Sequence, residues 1–247
     1  MMSKCCYCGN YKDLCKAHII PKRFYPDPNK EKLRVVDSED LSWKQRQNGI
    51  WDESILCSAC DNQLNEYDKE GYRILRDDLK SKKGKVNDLN TVYSFKAGEF
   101  DFKKLRFFFI SLIWRASISS EPTFKAVELG KYEAIALNIL KGAIPDQKDL
   151  FEVMVVREPE NAPFGNVVYV VRHNYGNKKA YKFTFNKFLV FIIPTTKNAV
   201  FVDNFDTNIF SKVFLRPENF VIVEHEMFME GKSRFLSSVS NRLRNKK

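Results

Sequence analysis

The sequence predicts an α+β protein in three stretches: a zinc-stapled N-terminal module, central helices and a C-terminal antiparallel β-rich region. Three observations carry that expectation. Two Cys-x2-Cys pairs, Cys5/Cys8 and Cys57/Cys60, bracket the first sixty residues. Apolar residues recur at helical spacing between about 61 and 140, at Leu64, Tyr67, Ile74 and Leu75, then at Leu105, Phe108, Phe109, Leu112 and Ile113. From 150 onward short apolar runs are split by Asn, Gly and Pro, as in a stack of strands.

Residues 1–25 read as a knuckle-like turn and a strand or loop. Residues 26–50 are polar, with Pro26 and Pro28, and form a long loop in which Leu33–Val36 is the one candidate strand. A helix follows from Asp61 to about Leu79. The charged stretch 80–90 (KSKKGKVNDLN) is the candidate boundary between a module at 1–80 and a second domain at 91–247. Thr91–Phe102 alternates in polarity and predicts a hairpin turning at Ala97-Gly98. Phe102–Ser119 predicts a strongly apolar helix. Pro122 starts the next helix, running to about Leu140, with Ser119-Ser120-Glu121 as its cap. FEVMVV, NVVYVV, KAYKFTF, KFLVFIIP and NAVFVD are the candidate strands, and 232–247 is a basic tail.

Composition narrows the function classes. The 247 residues are 44% hydrophobic, enough for a packed core, and contain no low-complexity tract or internal repeat. The longest apolar run, Phe107–Trp114, ends at Arg115, far short of the roughly 20 residues a membrane span needs. The first residues, MMSKCCYCGN, carry no apolar signal core, so a cytoplasmic location is expected. There, cysteines more often bind metal than form disulfides. Net charge is +10, and it is unevenly placed: 1–80 holds 14 basic and 14 acidic residues, and all the surplus lies beyond. A basic surface favours polyanions, so nucleic acid is the expected partner, with solubility charge as the plain alternative.

The cysteine pairs are the most specific signal. Each pair makes a tight turn that converges two sulfurs, and two pairs make a tetrahedral thiolate cage for Zn²⁺. Cys6 lies inside the first pair, but the x2 spacing to Cys8 selects Cys5; Cys15 reads as a small buried residue. The 48 residues between the pairs contain Ala17-His18-Ile19-Ile20-Pro21-Lys22, and His18 is one of three histidines in the chain. Immediately after Cys60, Asp61, Asn65 and Asp68 fall at i, i+4 and i+7, on one face of a helix. The cage therefore ties a candidate base to candidate oxygen ligands. The alternative reading makes Asp61 a helix N-cap and Asn65 a solvated face residue.

Taken together, CxxC…AHIIPK…ILCxxCDN resembles the HNH, or ββα-metal, endonucleases in their four-cysteine zinc variant, over about residues 5–75. Ser111–Ser117 (SLIWRAS) also resembles a segment that accompanies this module in uncharacterised bacterial proteins. The resemblance implies an N-terminal ββα-metal fold and hydrolysis of nucleic-acid phosphodiesters, with DNA as the expected substrate and bacterial defence as the context. It makes His18 the base that deprotonates water. Asp61 takes the place of a metal-ligating histidine, Asn65 that of a further helix ligand, and Asp52 stands near the asparagine that orders the loop around the base. The implied catalytic ion is Mg²⁺ or Mn²⁺, suited to oxygen donors. Lys22 and Arg23 are candidate phosphate contacts. The chain departs from the family pattern at Ala17, where a metal ligand usually precedes the histidine; Asp52, Glu53 and Asp68 are the candidate substitutes. A non-catalytic zinc module binding nucleic acid or protein is the competing expectation.

The β-rich half shows no Gly-rich phosphate loop and no Gly-x-Ser-x-Gly elbow. It is expected to serve specificity or to bind a protein partner. Tyr169, Tyr175, Tyr181, Phe183, Phe185 and Phe188 are candidates for base stacking or for the core. His173 and His225 read as ordinary sheet or surface residues. The terminal Arg242–Lys247 run is a candidate phosphate contact.

Overall fold

The structure, a computed structural model, describes residues 2–87, 90–147, 149–159, 166–175, 177–197 and 214–225. It is mixed α and β with one large, mostly antiparallel sheet. In the N-terminal stretch β1 (Ser3–Lys4) and β2 (Tyr11–Lys12) form a hairpin around the first cysteine pair, and β3 (Ala17–His18) is followed by β4 (Leu33–Val36), β5 (Trp43–Arg46) and β6 (Trp51–Asp52). β3 pairs antiparallel with β6. Helix α1 (Ser58–Tyr72) runs through a turn of π-helix at Arg73–Asp78 into α2 (Leu79–Ser81). Strands β7 (Lys85–Asn87) and β8 (Asn90–Lys96), helices α3 (Phe102–Ile118) and α4 (Lys131–Leu140), and strands β9 (Leu150–Arg157), β10 (Val167–Tyr175), β11 (Lys178–Phe185), β12 (Phe188–Thr195) and β13 (Asn219–His225) complete the described chain.

Among the described residues, nine strands join in the order β5-β4-β10-β11-β12-β9-β13-β8-β7. All neighbours are antiparallel except β4/β10 and β9/β13. β9 sits inside the sheet and is buried from Leu150 through Val156. Both its faces are covered: Val153 and Val155 point into the main core, while Met154 packs with Ala180, Ile193, Phe214 and Val221 on the opposite face. That explains why the run is continuously apolar rather than alternating.

Helix α3 starts where the Asp101 carboxylate accepts from the Lys104 N–H at 3.0 Å. Every residue from Leu105 to Ala116 is buried, the signature of a helix packed on all sides. It ends at Ser119, where the backbone turns extended. α1 crosses it closely because Gly71 lies on the Phe108 ring: a Cβ at 71 would overlap that ring.

Three expectations are corrected. The helix through 61–79 begins earlier, at Ser58, and reaches Ser81. Thr91–Phe102 is not a hairpin: β8 lies between β7 and β13, and the Gly98 turn (φ 89°) leads into α3. Pro122 opens only a 3-10 turn at Pro122–Phe124, and the helix proper starts at Lys131. Across the expected boundary at 80–90, one hydrophobic core includes Cys5, Ala17 and Ile50, α3, Phe183 and Phe220, and β4 and β5, from inside 1–80, form an edge of the large sheet. The NAVFVD run lies outside the described residues, as does the tail with Arg242–Lys247. No helix among the described residues is long and apolar enough to cross a membrane.

A four-cysteine cage and the cleft beside it

The Sγ atoms of Cys5, Cys8, Cys57 and Cys60 all lie within 4.8 Å of one another, close to the edge length of about 3.8 Å that zinc–sulfur bonds of about 2.3 Å imply. Local backbone builds the cage. The Gly9 N–H donates to the Cys5 carbonyl at 2.8 Å, closing the first knuckle with Gly9 at φ 80°. Cys57 is the N-cap of α1, so the second pair rides on the first helical turn. The Cys57 N–H donates to Cys5 Sγ at 3.4 Å.

Burial alone would raise the Cys5 thiol, but backbone N–H groups of Cys8, Cys57 and Tyr7 draw it down to about 7. Burial and the crowding of the other three sulfurs push Cys60 up. Four converging sulfurs, one of them readily ionised and another opposed by its neighbours, are a donor set that a thiophilic cation completes. The four cysteines can therefore hold a zinc ion. Among the described residues no other group brings three or more His, Cys, Asp or Glu donors together. Cys6 is exposed and Cys15 half-buried, both outside the cage.

The cage fixes β3 and β6 against the start of α1. Directly opposed residues of an antiparallel pair share a face. His18 opposes Trp51, and Ala17 opposes Asp52. His18 therefore shares a face with Trp51, while fully buried Ala17 and Asp52 lie on the other. His18 lines a cleft of about 620 Å³ together with Lys22, Arg23, Asp61, Asn65, Asp68, Lys69, Tyr72, Arg76 and Arg115. So the structure brings His18, Lys22, Arg23, Asp61 and Asn65 together and leaves Asp52 out. The Asp52 carboxylate instead accepts from Ser54, from Ser119 Oγ at 3.1 Å, and from the Ser120 N–H and Oγ at 2.7 and 2.9 Å. Burial would raise its pKa, but these bonds hold it below the ordinary 3.8. It braces β6 against the end of α3.

His18 Nε2 lies 3.2 Å from the Asn48 carbonyl oxygen. A carbonyl only accepts, so in neutral His18 this nitrogen carries the proton and Nδ1 keeps its lone pair. Burial lowers the imidazole below the ordinary 6.5; the Asn48 carbonyl and Asp61 oppose this, and Lys22 and Arg115 reinforce it. Asp61 is not the N-cap; its N–H donates to the Cys57 carbonyl at 3.0 Å, inside the first turn. Burial raises its carboxyl, against the pull of Arg115 and His18. Asn65, one turn on, is exposed at the cleft.

None of the candidate substitutes for the ligand absent at Ala17 is free. Asp68 is buried and binds Arg115 through both oxygens, at 2.6 and 3.0 Å. Glu53 is exposed and pairs with Lys16 at 3.4 Å. Asp52 is committed to its serines.

Three supporting residues were not singled out from the sequence. Arg115, 1% exposed, donates to the His18 carbonyl at 2.8 Å as well as to Asp68, tying β3, α1 and α3 together. Asn48 orients the imidazole, and the Asn48-Gly49 dipeptide is a turn signal that points to it. Tyr25 packs on Gly49, whose φ is 84° and where a Cβ would overlap the phenol ring. Of the β-rich half's aromatics, Tyr181, Phe183, Phe185 and Phe188 are buried, and Tyr181 donates to the Glu128 carbonyl, so they serve the core rather than base stacking. Tyr169 is half-buried, and the Tyr175 side chain lies outside the described residues. His173 is exposed in β10 and does not line the cleft, and β13 ends at His225.

Compared with protein-family models, with curated proteins and with solved structures, the chain matches none.

Proposed function

We propose that this chain is a metal-dependent endonuclease of the HNH type, cutting nucleic-acid phosphodiester bonds, with DNA as the first substrate to test. The observation that carries the reading is the placement of His18: its Nε2 is held by the Asn48 carbonyl while the imidazole shares one cleft with Asp61 and Asn65. The AHIIPK and paired CxxC segments support the same reading through their resemblance to that family.

In this reading Nδ1 of neutral His18 takes a proton from the attacking water, a contribution of about 10²–10⁴-fold. Asp61 and Asn65 offer hard oxygen donors that suit Mg²⁺ or Mn²⁺, and Asp61 accepts no hydrogen bond from the described residues. When bound there, such an ion supplies positive charge to the developing phosphorane and the leaving oxygen. Lys22 and Arg23, both exposed at the rim, steady the phosphates on either side. The four-cysteine zinc, in this scheme, is structural and fixes the distance between β3 and α1.

The test is nicking of supercoiled plasmid in Mg²⁺, Mn²⁺ or chelator, wild type against His18→Ala. The expected outcome is loss of cleavage in the variant, by at least about 10²-fold, with one zinc per chain retained. Undiminished cleavage by His18→Ala sinks the proposal. A second reading, a zinc module that binds nucleic acid without cutting it, is favoured by one observation: the residue before His18 is buried Ala17, which offers no ligand. Wild-type binding to DNA without nicking in any of the ions selects that reading.

A further inference from the structure

Two guanidinium groups lie on one aromatic ring at the edge of the cleft. Arg23 Cζ is 5.2 Å and Arg76 Cζ 5.3 Å from the centroid of Tyr72. Arg76 also donates to the Arg23 carbonyl, which fixes its approach. Neither exposed Arg23 nor half-buried Arg76 has a carboxylate partner among the described residues, whereas the buried or half-buried Arg46, Arg73, Arg106, Arg115, Arg157 and Arg216 all pair with acids. Two like charges held by one ring repel each other while each is attracted to the ring. An anion bridging them relieves the repulsion. The planar donor forks are suited to phosphate oxygens, and stacking has already restricted their motion.

Backbone geometry adds a second, independent pointer. Arg76 lies in the π-helical turn Arg73–Asp78, between α1 and α2. Such turns are rare and recur at functional sites, because the extra residue redirects side chains. Here the redirected side chain returns to Tyr72, on the preceding turn. Arg76 also forms part of the wall between the His18 cleft and a second depression of about 600 Å³, which shares Tyr25, Pro26, Asp27 and Arg76 with it. The second depression adds Lys30, Lys80, Arg157 and Lys187, against the acids Asp27 and Glu31. Arg157 and Lys187 come from the β-rich half of the chain, at the end of β9 and at the β11–β12 turn.

We propose that the Arg23–Tyr72–Arg76 stack is a phosphate-binding ridge that grips the nucleic-acid backbone beside the scissile position and directs it into the second depression. The assignment rests on the nuclease reading for its position relative to His18, but its test does not depend on cleavage. The probe is a fluorescein-labelled DNA duplex of about 20 base pairs, read by anisotropy across a salt series in chelator, with His18→Ala as the background so that nothing is cut.

Replacing both arginines (Arg23→Gln with Arg76→Gln) is expected to weaken binding about tenfold at moderate salt and to reduce the log–log salt slope by about 2, one for each lost phosphate contact. Tyr72→Leu is expected to weaken binding in the same direction, and Tyr72→Phe to preserve it. A control that removes two lysines stacked on other rings, Lys103→Gln with Lys131→Gln, loses the same charge elsewhere and is expected to leave affinity within about twofold. Equal losses in the control and the arginine pair, no loss in the arginine pair, or no duplex binding by the background protein each overturn the ridge. If the wild type fails to nick plasmid while the arginine pair still governs binding, the ridge stands and the nuclease reading falls.

Discussion

At the scale of single residues, the cleft is arranged around a neutral imidazole. Burial penalises the charged form of His18, and the nearby Lys22 and Arg115 cations add to that penalty. In the proposed mechanism the active form is the unprotonated ring, which the fold favours down to a pH below the ordinary 6.5. Cleavage is therefore expected to sit on a plateau at neutral pH and to fall as pH drops through a value under 6.5, measured as the single-turnover rate in Mn²⁺. An acid limb centred above 6.5 contradicts this electrostatic account. Gly49 is the second residue-scale control point. Its φ of 84° is a left-handed conformation, and the Tyr25 ring occupies the space of a side chain. Gly49→Ala is expected to cost about 2–4 kcal/mol, from backbone strain and overpacking together, read as a lower urea midpoint. Because Gly49 follows the carbonyl that orients His18, its replacement is also expected to disturb the imidazole.

Between elements, the junction of β3, α1 and α3 depends on one buried ion pair. Arg115 is satisfied by Asp68, by the His18 carbonyl and by the Ser111 carbonyl at 3.3 Å. Burial pushes the Asp68 carboxyl up and the Arg115 guanidinium pulls it back. Breaking one partner strands the other in a dry interior. Asp68→Asn is thus expected to destabilise the fold by about 3–5 kcal/mol, whereas Asp68→Leu with Arg115→Leu recovers much of that loss. Urea unfolding of the two variants against the wild type decides it; a neutral Asp68→Asn would mean that water reaches the pair. The sequence makes α3 legible through its apolar run, and α1 through its spacing, because both signals are local. It does not reveal that Asp68, a candidate ligand on the cleft face of α1, is already engaged by an arginine 47 residues away.

For the whole molecule, the cage is part of the main core rather than a separate appendage. Cys5, Cys57 and Cys60 belong to the same buried cluster as α3 and the central strands. Stripping the metal with a strong chelator is expected to lower the melting temperature of the entire chain in one cooperative transition, and metal analysis to give one zinc per chain beforehand. Two separate melting steps, with only the first sensitive to chelator, would support the two-domain view that the charged 80–90 stretch suggests. The polarity of that stretch reports exposure and leaves no sign of the pairing of β7 and β8 along the sheet edge. Strand β4 coincides with the expected Leu33–Val36 strand, whereas β5, four residues in a polar setting, carries no such signal; the place of β4 in the large sheet comes from pairing with β10, more than 120 residues on, and β5 joins through β4.

The sequence by itself determined the elements whose signals are local: the paired cysteine turns, the helix after Cys60, the buried helix from Phe102 and the apolar strands from 150. It also placed His18, Asp61 and Asn65 within reach of one another, since the cysteine spacing joins their two segments. Only the tertiary structure decided which polar groups remain available. Asp52, Glu53 and Asp68 are equal as letters, but serines, a lysine and an arginine from elsewhere in the chain engage them, leaving Asp61 as the cleft acid without a donor. Hydrogen bonds and buried ion pairs form between residues far apart in the chain, so their assignment follows from packing and leaves no mark in local spacing.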